Sequence, residues 1–151
     1  MTPQVAANAQ TTATTEAALA YCQGGREKLL GGAETILFVE DEAFVRRVTE
    51  EVLCAAGYRV LTAKDATTAA TACDLHCGDV DLLLTDVILP GENGRVLARR
   101  LKEARPGLKI LLITGYADQM GLQNADPGAW LAKPFSVGVL LQKARQVLER
   151  E

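Results

Sequence analysis

The sequence predicts a doubly wound α/β domain, a five-stranded parallel sheet with helices on both faces. Three observations carry that prediction. The runs Ile36–Val39 and Leu82–Leu84 are continuously apolar, as strands buried on both faces are. Strand-like runs alternate with helix-length stretches along the chain, an order that builds parallel sheets through right-handed crossovers. Both apolar runs also lead into acids, Glu40-Asp41-Glu42 in one case and Asp86 in the other.

Residues 1–33 differ in composition from the rest of the chain. Thr, Ala, Gln and Asn dominate there, and two glycine pairs (Gly24-Gly25 and Gly31-Gly32) interrupt the segment. Little in it can bury an apolar face, so a flexible leader or linker is expected. The domain is expected to span 34–151, beginning with Thr35–Val39 as strand one. Ala43 to Ala56 reads as a helix with Val45, Val48, Val52 and Ala55 inward, stopped by Gly57. Tyr58–Leu61 is a short second strand. Asp65 then caps a helix whose inner face holds Ala66, Ala69, Ala70 and Cys73.

Strand three ends at Asp86. After the Gly91–Gly94 loop comes a helix with Val96, Leu97, Leu101 and Ala104 inward, ended by Pro106-Gly107. Leu108–Thr114 reads as strand four and Ala129–Ala132 as a brief strand five. Between them, Ala117–Ala125 carries a weak helical pattern, broken by Asp126-Pro127-Gly128. Ser136 caps a final helix with Val137, Leu140, Leu141, Ala144, Val147 and Leu148 on one side.

Composition removes several function classes. With 48% hydrophobic and 23% charged residues, the 151-residue chain has the balance of one globular domain. A net charge of −3 argues against direct nucleic-acid binding, which needs a concentrated basic surface. Arg95, Arg99, Arg100, Lys102 and Arg105 cluster, but at the spacing of one wet helix face. No apolar segment approaches a membrane span, and the N-terminus lacks a signal-peptide pattern. The expected location is the cytoplasm, where Cys22, Cys54, Cys73 and Cys77 would remain thiols. Cys73, His76 and Cys77 share a neighbourhood, but three soft ligands without a fourth make a poor zinc site.

The strand ends collect the residues that carry chemistry. In a sheet of order 2-1-3-4-5, strands one and three are neighbours at the switch point, where ligands gather. Glu40, Asp41 and Asp86 would meet there. Unit charges about 4 Å apart repel by about 4 kcal/mol at an effective dielectric near 20. Such a trio needs a cation, or a proton on one member. A hard divalent ion such as Mg²⁺ (or Mn²⁺) answers that demand and leaves room for phosphate oxygens. Asp86 could be a nucleophile, a metal ligand or a helix cap, although Pro90 and Gly91 intervene before the next helix. Thr114 offers a hydroxyl and Lys133 a mobile cation, which together could hold the oxygens of a transferred group.

These stretches resemble the receiver domain of bacterial two-component response regulators. The likeness rests on Ile36 to Glu42, Leu82 to Gly91, Leu112 to Gly115 and Lys133-Pro134-Phe135, in the right order. The wording Glu-Thr-Ile-Leu at 34–37 and Thr-Gly-Tyr at 114–116 is similar to receivers attached to hybrid histidine kinases. The resemblance implies a flavodoxin-like sheet and Asp86 as phosphoacceptor from a phosphohistidine on a sensor histidine kinase or phosphotransfer protein. It implies that Glu40, Asp41, Asp86 and the backbone carbonyl of Ile88 hold Mg²⁺. Thr114 would move toward the phosphate, Lys133 would pair with it, and Trp130 would occupy the place of a switch aromatic. It further implies no catalysis beyond the domain's own phosphorylation and dephosphorylation, a downstream protein that this sequence does not identify, no membrane, and a homodimer left open. Two departures stand out: Trp130 is bulkier than the Tyr or Phe usual there, and the span from Thr114 to Lys133 is short.

Rival readings are weaker. An aspartate-nucleophile phosphatase resembles Asp-x-Asp, and position 88 is Ile. A flavin- or nucleotide-binding domain needs a glycine-rich loop after strand one, where Glu40-Asp41-Glu42 stands instead. The chain could equally be one phosphorelay segment of a larger hybrid kinase.

Overall fold

In the computed structural model, which describes residues 31–115 and 130–150, the two apolar runs become central strands of one sheet. The described elements are β1 (Thr35–Val39), α1 (Ala43–Ala55), β2 (Arg59–Ala63), α2 (Ala66–Leu75), β3 (Leu82–Asp86), α3 (Gly94–Ala104), β4 (Lys109–Thr114), β5 (Trp130–Ala132) and α4 (Val137–Leu148). All strands run parallel in the order β2-β1-β3-β4-β5, as expected. The pattern at Ala117–Ala125 lies outside the described residues.

The double burial of β1 and β3 comes from helices on both faces. Ile36, Phe38, Leu82 and Leu84 meet Leu53 of α1 and Leu140, Leu141 and Ala144 of α4. Leu37, Val39 and Leu83, pointing the other way, meet Ala66, Ala69 and Cys73 of α2 and Leu97 and Leu101 of α3. Each fully buried Leu or Phe contributes about 1.5–3 kcal/mol of burial free energy. These rows therefore anchor the strand ends that carry the acids.

Three caps form. The Asp65 carboxylate accepts from Thr68 N at 2.7 Å and Ser136 Oγ from Val139 N at 3.2 Å, both as expected. The third, Asn93, accepts from Arg95 N at 2.6 Å. Gly57 comes after α1 with a φ of 103°, the left-handed turn that ends a helix without a Cβ penalty.

Several details differ from the sequence-based expectation. β2 extends to Ala63 because it pairs with β1 along its whole length. The buried stripe of α1 is Thr49, Val52 and Leu53, while Val45 and Val48 are half-buried and Ala55 is exposed. In α3, Val96 and Ala104 are exposed and Ala98 is buried instead. Both helices are rotated by about one position from their apolar pattern, with Leu53, Leu97 and Leu101 making the contact with the sheet.

Gly31 and Gly32, expected in the leader, touch the domain. Gly32 N donates to Ala56 O at 3.3 Å, and Arg145 of α4 donates from Nη1 to Gly31 O at 2.9 Å. Arg145 also grips Glu34 through both terminal nitrogens. Glu34 is held below the usual carboxylate range by that hydrogen-bonded guanidinium. The chain is thus fastened before β1 begins.

Candidate functional site

β1 and β3 lie side by side, with Val39 opposite Thr85, so the residues just beyond them meet at the carboxyl edge of the sheet. Carboxylate oxygens of Glu40, Asp41 and Asp86 all lie within 4.8 Å of one another. Asp41 is exposed, but Glu40 is 1% and Asp86 6% accessible. Lys133 enters from the end of β5, where its backbone N–H bonds Thr114 O at 2.8 Å. Its Nζ stands 3.2 Å from Asp86 Oδ1 and 3.6 Å from Glu40 Oε1. A cleft of about 360 Å³ opens over this group, lined by Glu40, Asp41, Glu42, Asp86, Ile88, Ile113, Gly115 and Lys133.

Burial and charge set the protonation of the cluster. Burial first, then the hydrogen bond and charge of Asp86, push Glu40 up to about 8. Burial also raises Asp86, against the pull of Glu40 and Lys133, and Asp41 adds repulsion. Burial lowers Lys133, but the Asp86 and Glu40 charges outweigh it and raise the amine. Without metal, Glu40 thus holds a proton that an isolated carboxylate would lose.

These shifts set how stability changes with pH. A carboxyl with a higher pKa folded than unfolded stabilises the fold fully while protonated, and that contribution is lost as pH rises through the folded value. For Glu40 the window runs from about 4.5 to about 8. In the presence of EDTA the thermal midpoint is expected to fall across that window, and Glu40→Gln is expected to flatten the fall. A wild-type midpoint that climbs steadily from pH 5 to pH 8 would contradict this.

The donor set fits a hard divalent cation. Glu40 Oε1 and Asp86 Oδ1 are buried and accept no hydrogen bond among the described residues. Together with Asp41 they offer only oxygen, the ligand Mg²⁺ prefers. Lys133 alone leaves three acids facing one amine.

The expected site residues are not all placed alike. Glu40, Asp41, Asp86, Ile88 and Lys133 line the cleft; the Ile88 side chain is 62% exposed. Thr114 is 1% exposed, and its Oγ1 has no hydrogen-bond partner among the described residues. The wall beside it is formed by Ile113 and Gly115. Trp130 opens β5 opposite Leu112 and is half-buried.

The supporting residues were not legible in the sequence. Glu42 N donates to Glu40 Oε2 at 3.1 Å, Arg46 Nη1 donates to Glu40 O at 2.7 Å, and Thr85 Oγ1 donates to Asp86 O at 3.0 Å. Gly94 N donates to Val87 O at 2.7 Å. Arg100 Nη1 bonds both Glu92 oxygens, at 3.0 and 2.9 Å, across the loop after β3. Arg100 reads as part of a solvated helix face and Arg46 carries no signal of its own, because no periodicity shows where a long side chain bends back.

Comparison with known proteins agrees with this geometry. A sequence profile for the response regulator receiver domain matches residues 36–145. The chain is 33% identical over 125 residues to the sensor kinase CckA of Brucella abortus, covering 81% of this chain and 13% of that protein. It is 36% identical over 110 residues to the DNA-binding transcriptional regulator NtrC of Rhizobium meliloti, covering 71% and 22%. The crystal structure of the receiver domain from the hybrid histidine kinase CckA superposes with a TM-score of 0.64 at 33% identity, covering 76% of this chain and 99% of that one. The chain therefore spans less than a quarter of the length of these two relatives. With this fold and a profile match across most of its length, the chain belongs to the response regulator receiver domain family of two-component systems.

Proposed function

We propose that Asp86 accepts a phosphoryl group from a phosphohistidine on a sensor histidine kinase or phosphotransfer protein, and that the domain then changes conformation. The observation that carries this reading is the meeting of three carboxylates and one lysine in a cleft at the carboxyl edge of the sheet. An Asp86 oxygen attacks phosphorus as the P–N bond breaks, and the imidazole leaves with its electron pair and takes up a proton. Lys133 draws the oxygens of the arriving group toward Asp86, and the buried surroundings strengthen that attraction. Glu40, Asp41, Asp86 and the Ile88 carbonyl would hold Mg²⁺ or Mn²⁺, which neutralises charge on the acids and the phosphoryl oxygens. The buried Thr114 hydroxyl, without a hydrogen-bond partner among the described residues, is the group that phosphate would draw in.

The added charge of roughly −1.5 to −2 is enough to bias a two-state element. The domain acts on itself, not on a separate substrate. Residues 1–33 serve as a connector and 34–151 as the receiver, a division supported by the start of β1 and of the profile match. No helix among the described residues is long and apolar enough to cross a membrane, in keeping with work in the cytoplasm. The downstream partner is a protein contacted by the phosphorylated form, a second copy included.

Incubation with Mg²⁺ and a small acyl phosphate tests the reading. One phosphoryl group per chain is expected, and none in the presence of EDTA. Continuous turnover of phosphate esters, many per chain, would point to an enzyme instead.

A further inference from the structure

We infer that Arg46 is a positioning residue for the acidic turn, holding Glu40 and Asp41 where a divalent cation can use both; this rests on the metal-assisted reading of the cleft. The starting observation is a missing cap. α2, α3 and α4 each begin with a side chain that accepts from their first turn: Asp65, Asn93 and Ser136. α1 begins at Glu42, whose side chain caps nothing. Helix starts without such a cap lose about 1 kcal/mol and fray, yet this is the start that carries the acids.

Arg46 supplies the missing restraint from inside the helix. Its backbone N–H donates to Glu42 O at 2.9 Å, and its Nη1 donates to Glu40 O at 2.7 Å. The first is the i→i−4 bond of any helix, so what the Arg46 side chain itself adds is the hold on the Glu40 end of the turn Glu40-Asp41-Glu42. Glu40 is otherwise held through its N–H, bonded to Ala63 O at 3.0 Å, and through Oε2, bonded to Glu42 N at 3.1 Å. With those restraints satisfied, Oε1 accepts no hydrogen bond among the described residues and faces Lys133 Nζ at 3.6 Å. Releasing the Glu40 carbonyl would let the turn rotate and carry Oε1 and the Asp41 carboxylate apart.

The sign of the effect separates positioning from charge. Arg46 is a cation near a cation site, so removing its charge should tighten Mg²⁺ binding by Coulomb's law alone. Removing a residue that orients ligands should weaken binding, by about tenfold or more where such outer partners have been replaced. Arg47, exposed and next in the chain, carries the same charge and is the control.

The test is a calorimetric Mg²⁺ titration of the full chain, with the thermal midpoint in EDTA measured alongside. Arg46→Gln is expected to weaken Mg²⁺ binding about tenfold, while Arg47→Gln binds at least as tightly as wild type. Wild-type or tighter affinity in Arg46→Gln overturns the inference, even if the midpoint in EDTA falls, because a merely structural role would lower stability alone. If Arg46→Gln does not fold, Arg46→Met, which keeps an apolar stem but has no donor, decides: weaker binding supports positioning, and unaltered or tighter binding overturns it. A wild-type chain that binds no Mg²⁺ overturns the metal reading itself and is recognised because Arg47→Gln then binds none either.

Discussion

Asp86→Asn is expected to take up no phosphoryl group and, in EDTA, to melt at a higher temperature than the wild-type protein. The first part follows from the lost nucleophile, since an amide oxygen cannot form the aspartyl phosphate. The second follows from electrostatics. Asp86 is raised chiefly by burial, with the neighbouring Asp41 charge adding to it and Lys133 opposing. A carboxyl raised on folding destabilises the fold while ionised. Asn has nearly the same shape without the charge, so the cluster relaxes. Added Mg²⁺ should then stabilise wild type more than the variant, because the variant lacks one anionic ligand. A variant less stable than wild type in EDTA would show that the Lys133 ion pair at 3.2 Å outweighs burial, the opposite of what is expected.

Gly94→Ala is expected to destabilise the domain by about 3 kcal/mol, near the upper end of ordinary overpacking costs. A Cβ at Gly94 would collide with Asp86 O and lie 2.9 Å from Asp86 C and 3.2 Å from Thr85 Oγ1. The two nearest obstacles are backbone, so no side chain can swing away. β3 and α3 must part, breaking the 2.7 Å bond from Gly94 N to Val87 O and displacing Asp86. Gly91 provides the contrast. Its φ of 83° strains any other residue, but a Cβ there meets nothing within 4 Å, so Gly91→Ala should cost about 1 kcal/mol. Urea denaturation of both variants checks the ranking. Gly94→Ala within about 0.5 kcal/mol of wild type would contradict the close approach.

The legible parts of this fold were those fixed by burial on two faces. Ile36–Val39 and Leu82–Leu84 could be nothing but central strands, and once they were neighbours Glu40, Asp41 and Asp86 had to converge. Caps at Asp65 and Ser136 were legible because local hydrogen bonds depend on local residues. The helix faces were less so. Val96 and Ala104 are as apolar as Ala98, and only the sheet decides which of them turns inward. Long-range side-chain contacts left no trace in the pattern. Arg145 reaches Glu34 across 111 positions, and Arg46 looks like any exposed helical arginine until its guanidinium is seen on Glu40 O. The short span between Thr114 and Lys133 falls largely outside the described residues.

The central claim is that Asp86 itself carries the phosphoryl group. Peptide mapping by mass spectrometry, after Mg²⁺ and an acyl phosphate and with borohydride trapping of the aspartyl phosphate, tests it most directly. A single trapped site at Asp86 is expected, lost in Asp86→Asn and absent without metal. A trapped group on Asp41 or Glu40 in the wild-type chain, or full incorporation into Asp86→Asn, would contradict it.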